Sequence, residues 1–124
     1  MKTTRPLERI YLAVLPIKTE VDGTVFNFLA LDDFSKYVIG LDTIKVLDTL
    51  TITEQVAHLT KHQDFKNAYN NLPFTLVLPF DKDPNLDTHL QEALKPFDHT
   101  IIYDQQLVFE NIKPVLESFN DSMS

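Results

Sequence analysis

The sequence predicts an α/β domain in which a five-stranded mixed sheet is covered by helices on both faces. Three observations predict this fold class. The chain opens with three β-rich runs separated by short turns, a later apolar run of β-forming residues is typical of a buried strand, and apolar residues recur at helical spacing between and after these runs. The predicted element order is β-β-β-α-β-α-β-α. With 124 residues, 44% of them hydrophobic, the chain is expected to form a single domain over 1–124 with an ordered core at about 8–120.

The first three elements are predicted to form an antiparallel meander. Its β-rich runs are Arg9–Ile17, Thr24–Leu31 and Tyr37–Val46. The first turn contains Asp22-Gly23, a strong hairpin signal because glycine accepts a positive φ. Pro16 has no amide donor, so we expect a bulge or an early end to strand pairing near it.

A helix and a buried strand are predicted next. Thr51 is followed three residues later by Glu54, a spacing typical of a capping box, and the polar-rich helix after it reaches about Tyr69. Pro73–Phe80 is a nearly unbroken apolar run, as expected of a strand that is buried on both faces and has parallel neighbours.

The last three elements are predicted to be a helix, a strand and a helix. Asn85 can cap a helix that Pro96 stops, and His99–Leu107 predicts the fifth strand. We expect Pro114 in the first turn of the final helix or at a kink, and the polar tail after residue 119 is expected to fray. The apolar faces of the two helices consist of Leu86, Leu90, Ala93 and Leu94 in the first and Phe109, Ile112, Leu116 and Phe119 in the second.

Composition excludes several classes of site. There is no cysteine, which rules out disulfides, thiolate metal sites and a cysteine nucleophile. The net charge is −7, with 11 basic residues against 18 carboxylates, so we expect DNA binding by this chain alone to be weak. The apolar run from Tyr11 to Ile17 is too short for a membrane span or a signal peptide. We therefore expect a cytoplasmic protein without a membrane partner.

Three short motifs carry a resemblance to a known family. Asp22-Gly23, the turn Leu31-Asp32-Asp33-Phe34-Ser35-Lys36 and the following Val38-Ile39-Gly40 occur in this order and spacing. They resemble the catalytic core of retroviral-type integrases and insertion-sequence transposases, which belongs to the ribonuclease H-like superfamily. The resemblance extends from Tyr11 to Phe119. We expect these residues to serve the fold: Asp and Ser satisfy backbone donors in the turn, Phe34 anchors it in the core, and Gly40 permits close packing.

The resemblance also implies where a catalytic site would lie. In that family three carboxylates hold two Mg²⁺ or Mn²⁺ ions that promote phosphodiester transfer. Asp81, after the buried strand, and Glu117, in the last helix, match the second and third carboxylates. The first position is occupied by Val14, and its neighbours Ala13 and Leu15 are apolar too. The chain therefore resembles a degenerate member of the family, with no metal cofactor expected, or Mg²⁺ or Mn²⁺ if the site functions.

Other interpretations of these carboxylates stay open. Asp81 is either a retained metal ligand or an exposed residue that ends a strand, and helical geometry favours a solvent-facing Glu117. Glu20 and Asp22 are nearest to position 14 in sequence but are predicted to lie at the hairpin tip.

A pair of histidines also has a spacing that metal sites use. His58 and His62 are four residues apart, as zinc ligands on one helical face are, yet no third ligand is evident in the sequence. A zinc site is therefore not expected.

The leading functional hypothesis is an integrase-core-like domain of a mobile-element lineage, related to DNA integration and nucleic-acid processing, which is catalytically inactive and acts through association. A second hypothesis is an active Mg²⁺- or Mn²⁺-dependent strand transferase or nuclease that uses Asp81, Glu117 and a third carboxylate. A third is a protein-interaction or dimerisation module on the same fold, with a homodimer as the expected assembly.

Overall fold

The structure is a computed structural model that describes residues 2–123 and the side chains of residues 2–118. Five strands and four helices make up the domain. In chain order they are β1 Arg9–Thr19, β2 Gly23–Asp32, β3 Val38–Ile44, α1 Thr49–Lys61, α2 Gln63–Ala68, β4 Phe74–Leu78, α3 Pro84–Ala93, β5 His99–Tyr103 and α4 Gln105–Met123.

The strands form one mixed sheet in the order β3-β2-β1-β4-β5. β1 pairs antiparallel with β2 and parallel with β4, and β4 pairs parallel with β5. Residues buried on one sheet face pack with α1, α2 and α3, and those on the other face pack with Val108 and Ile112 of α4. The predicted mixed five-stranded sheet with helices on both faces is confirmed.

The β1–β2 hairpin fits the turn signal of the sequence. Its register runs from Ile10 opposite Asp32 to Thr19 opposite Gly23, and Gly23 has φ 70°, a conformation that glycine adopts without steric cost. The packing role expected for Gly40 is wrong, because a Cβ added there would meet nothing within 4 Å. The ladder between β2 and β3 shifts register beside this glycine, as expected of a bulge.

Pro16 interrupts neither register nor pairing with β2, contrary to the expected bulge. The Arg9 carbonyl accepts from the Asp33 amide on the β2 side, at 3.0 Å, whereas the Glu8 carbonyl accepts from the Thr75 amide on the β4 side, at 2.9 Å. Because main-chain groups of successive strand residues point to opposite sides, even-numbered residues of β1 face β4. Pro16 therefore lacks its donor on the side where pairing with β4 has already ended at Tyr11.

Helix α1 starts earlier and ends earlier than the sequence pattern suggested. Its N-cap is Asp48, which forms a reciprocal capping box with Thr51, so the predicted box from Thr51 to Glu54 is wrong. The predicted continuous helix to Tyr69 is also wrong. His62 has extended ψ 140° and is both the C-cap of α1 and the N-cap of α2, where its side chain accepts from the Asp64 amide. This break turns the chain so that α2 can bury its Phe65.

We expect Asp48→Ala to lower the free energy of unfolding by about 1 kcal/mol, the usual contribution of an N-cap side chain. Urea denaturation monitored by circular dichroism measures it. Glu54→Ala is the matched control, since Glu54 is exposed, and should change stability by less than about 0.5 kcal/mol. The opposite ranking of the two variants would restore the box that the sequence suggested.

The boundaries of the last three elements differ from prediction for a shared reason, which is capping by aspartate. Asp83, rather than Asn85, caps α3 by accepting from the Asn85 amide at 2.9 Å. Asp104 accepts from the Leu107 amide at 3.0 Å, so α4 begins where the fifth strand was expected to continue. Pro114 lies inside α4, beyond its first turn, and the predicted frayed tail is helical to Met123. Phe119 was predicted to lie on the apolar face of the last helix, but its side chain is outside the residues whose side chains the structure describes.

The N-terminal residues pack against the turn between β2 and β3, so the packed region begins before residue 8. Thr3 and Leu7 are both buried. The Thr3 hydroxyl donates to Asp33 at 2.9 Å. Burial raises the pKa of Asp33, but hydrogen bonds from Lys36 and Thr3 and the nearby charges of Lys36 and Arg9 outweigh it, so this pKa lies below its ordinary value.

Asp32 is the polar centre of the same turn. It is 5% exposed and accepts from the Leu7 amide at 3.0 Å, from the Ser35 hydroxyl at 2.7 Å and from the Phe34 and Ser35 amides at 3.4 Å. The expected role of Asp and Ser in satisfying turn donors therefore holds. Phe34 is 47% exposed, so the prediction that it anchors the turn in the core is wrong.

Candidate functional site at the ends of the central strands

Two adjoining grooves lie where β1, the end of β4 and the start of α4 meet. Val14, Pro79 and Gln105 line both grooves, whose volumes are about 290 and 130 Å³. We call this pair the junction groove. Its larger part is completed by Pro16, Phe26, Leu47 and Phe80, and its smaller part by Ala13, Leu15, Val108, Phe109 and Ile112.

The lining of the junction groove is apolar except for the Gln105 amide and main-chain groups. No carboxylate or imidazole is among the lining side chains. Divalent cations such as Mg²⁺ take several oxygen ligands, usually including carboxylates. The groove therefore offers apolar contact and single hydrogen bonds rather than a set of metal ligands.

The structure brings two of the three positions of the resemblance near each other. Val14 lies in the groove, and Asp81 follows two residues after Pro79 in an exposed loop. Among residues 2–118, no side chain forms an ion pair or hydrogen bond with the Asp81 carboxylate. Its predicted role as a metal ligand stays a prediction.

Glu117 lies beyond the groove along α4, more than one helical turn after Ile112, the last groove residue of this helix. At a rise of about 1.5 Å per residue, it is about 18 Å along the helix axis from Gln105. Its side chain is 63% exposed and its Oε1 is 4.0 Å from the Lys113 ammonium, one helical turn earlier. In the part of the chain that the structure describes, no group of three or more His, Asp or Glu side chains could hold a metal ion.

The remaining candidate residues have separate partners. Glu20 and Asp22 lie in the turn beyond β1, where Asp22 is 3.2 Å from the Lys45 ammonium. Nδ1 of His58 is 2.8 Å from the Asp42 carboxylate. His62 instead accepts from the backbone at the start of α2. The two histidines thus do not share a ligand site among the described side chains.

Helix N-termini at this end of the sheet are capped by aspartate side chains of the chain itself. Asp48, Asp83 and Asp104 cap α1, α3 and α4. Beside them, the Tyr103 hydroxyl donates to Asp87 at 2.7 Å. Burial, and then this hydrogen bond, raise the pKa of Tyr103 well above its ordinary value, so the phenol stays protonated and ties β5 to α3.

An open main-chain edge beside the groove was missed by the sequence reasoning. Pairing of β1 with β4 covers Arg9 to Tyr11 only, while β1 continues to Thr19. In this register Pro79, the residue directly after β4, would donate next, to the Leu12 carbonyl, but it has no N–H. Val14, two residues further along β1, directs its main-chain groups to the same side, beyond the end of pairing with β4. Pro16 and Pro79 were the sequence signals that could have indicated this edge.

Of the comparisons with known proteins, only the one with solved structures gives a match. No family model matches the sequence, and no curated protein matches it. Among solved structures, the chain is similar to a chain of the cryo-electron microscopy structure of simian T-cell lymphotropic virus intasome in complex with PP2A regulatory subunit B56 gamma. The TM-score is 0.68 at 13% sequence identity, and the match covers 95% of this chain and 41% of that chain. The two chains share a fold.

This likeness concerns the fold alone, because so few residues are identical. The present chain also spans less than half the length of the intasome chain. The comparison therefore supports the predicted α/β architecture, and the finer resemblance to integrase cores stays a prediction. Within residues 2–123, no helix combines the length and the apolar character that crossing a membrane requires.

Proposed function

We propose that this chain is a ribonuclease H-like, integrase-core-like domain that does not transfer phosphodiesters and acts by associating with other molecules. One observation carries the proposal. Where β1, β4 and α4 converge, the junction groove is lined by Val14, Pro79 and Gln105, and no carboxylate side chain is among its lining residues.

The chemistry of a two-metal reaction explains why this observation matters. Two cations about 4 Å apart must be held by several oxygen ligands at once. Four carboxylates are direct sequence neighbours of groove residues: Asp48, Asp81, Asp104 and Glu110. Asp48 and Asp104 cap α1 and α4, and Glu110 accepts from the Gln106 side-chain amide. Among the described residues, no group of three or more His, Asp or Glu side chains could hold a metal ion, so a ligand set for two ions is lacking there.

The charge of the chain supports association over DNA processing. The net charge is −7, so the domain as a whole repels the phosphate backbone that every strand-transfer enzyme must approach. An integrase lineage remains compatible with this charge if the domain contacts protein partners instead.

Calorimetric titration of Mg²⁺ and Mn²⁺ into the wild type, Asp81→Asn and Asp98→Asn tests the proposal. We expect no binding at low millimolar concentration and no difference among the three proteins. Asp98 is an exposed carboxylate before β5 and serves as the matched control. Manganese-dependent cleavage of a DNA strand that Asp81→Asn abolishes and Asp98→Asn preserves would overturn the proposal in favour of an active transferase or nuclease.

A further inference from the structure

We infer that the junction groove docks a short extended peptide, which pairs with the main chain of Val14, inserts one apolar side chain and places a basic side chain near Asp81. This inference rests on the proposed function and names the kind of partner that the domain would associate with. Its support comes from hydrogen bonding, shape and charge at one location.

The hydrogen-bonding step follows from the register of β1. Even-numbered residues of this strand direct their N–H and C=O groups towards β4, as the bond from the Thr75 amide to the Glu8 carbonyl shows. Pairing with β4 stops at Tyr11, so Val14 presents a donor and an acceptor that β4 does not use. An extended peptide backbone supplies the complementary acceptor and donor, as in strand addition to a sheet edge.

The apolar step follows from the groove lining. Beside the Val14 main chain, Phe26, Leu47 and Phe80 surround the larger space of about 290 Å³. Directly opposed residues of neighbouring strands point to the same sheet face, so the peptide residue paired with Val14 would direct its side chain to the face on which Val14, Phe26 and Phe80 pack. An apolar side chain placed there would exclude water from surface that is now accessible.

The length of the peptide is limited by two prolines. Pro16 offers only a carbonyl on the open side of β1, and Pro79 ends the β4 ladder at the other end of the gap. Strand addition is therefore restricted to the residues around Val14. A second copy of this chain is disfavoured as the occupant, because its own β1 edge contains the same proline and both copies carry a net charge of −7.

Charge selects a basic peptide. Asp81 follows the groove residue Phe80 directly, is exposed, and has no ion-pair partner among residues 2–118. A lysine or arginine of the peptide can approach this carboxylate without displacing a cation of the domain. The acidic net charge also favours encounter with a basic partner over an acidic one.

The probe is a fluorescein-labelled, terminally capped peptide Lys-Leu-Val-Leu-Lys, titrated against the full 124-residue chain by fluorescence polarisation. Chemical shifts of ¹⁵N-labelled protein locate the site. We expect saturable binding that shifts the Val14 and Phe80 amides, and about tenfold weaker binding of the same peptide with its central amide nitrogen methylated, which removes one hydrogen bond. Asp81→Asn should weaken binding about threefold, and Asp98→Asn should leave it unchanged.

The inference is overturned if the peptide does not bind at millimolar concentration, or if the methylated peptide binds equally well. Shifts confined to residues away from the groove would overturn it too. These outcomes are separate from the metal titration: absence of both peptide and metal binding removes this inference alone, whereas manganese-dependent cleavage removes the proposed function. Both variants change exposed carboxylates outside the core, so a folded protein is available for each measurement.

Discussion

Phe65→Ala is expected to lower the free energy of unfolding by about 4 kcal/mol, as large-to-small changes of buried aromatics do. Phe65 is 1% exposed and its ring lies 5.5 to 5.9 Å from the rings of Tyr69, Phe74 and Phe97. Truncation would remove apolar contacts to all three rings and leave a cavity where α2 meets β4 and the chain before β5. Because the chain has no tryptophan, urea denaturation is monitored by circular dichroism at 222 nm, and it gives the change in the free energy of unfolding.

Phe34→Ala is the matched control for this variant. The same chemical change at a 47% exposed ring should lower stability by less than about 1 kcal/mol. If Phe34→Ala cost as much as Phe65→Ala, the turn between β2 and β3 would have to be packed as the sequence motifs implied, and the exposed position of Phe34 would be wrong.

Asp32→Ala is expected to lower the free energy of unfolding by about 3 kcal/mol. The substitution leaves the buried Leu7 amide without its acceptor, and an unsatisfied buried donor costs about 1 to 3 kcal/mol. It also removes the acceptor of the partly buried bonds from the Ser35 amide and hydroxyl, which hold the turn. Because Leu7 has φ 62°, its strained backbone depends on such support.

Two comparisons make the Asp32 result specific. Asp98→Ala removes an exposed carboxylate and should stay within about 0.5 kcal/mol of the wild type. In native-state hydrogen exchange, Asp32→Ala should accelerate the Leu7 amide more than amides of β4, since the lost bond is local. Equal stability of Asp32→Ala and the wild type would contradict the role of Asp32 as the acceptor that holds the turn.

The order of strands and helices along the chain follows largely from patterns that the sequence displays. Alternation and short turns define β1 to β3, and the apolar run ending in Leu78 defines β4. Boundaries were less predictable where two patterns fit the same residues. Leu107 and Val108 suit a strand as well as a helix, and only the bond from the Leu107 amide to Asp104 decides for a helix.

The sequence predicted where the candidate site residues lie along the strands, but not which groups surround them. The sequence motifs placed Val14 in β1 and Asp81 just after β4, where the structure has them. The separation of Glu117 from Gln105 depends on where α4 begins, and the sequence pattern predicted a strand up to Leu107 there. The open edge of β1 depends on the length of its pairing with β4, a tertiary property that no local pattern encodes.

The short ladder between β1 and β4 separates the residues that maintain the fold from those that shape the groove. Leu12 and Leu76 are fully buried in the centre of the sheet, whereas Val14 and Phe80 are only partly buried and Gln105 is exposed. Substitutions at these three positions change the chemistry of the groove surface, and those at Val14 and Phe80 also remove apolar contacts at the edge of the core. Gln105, which is exposed, is therefore the position where a charged group can be introduced at this end of the sheet with the least loss of packing.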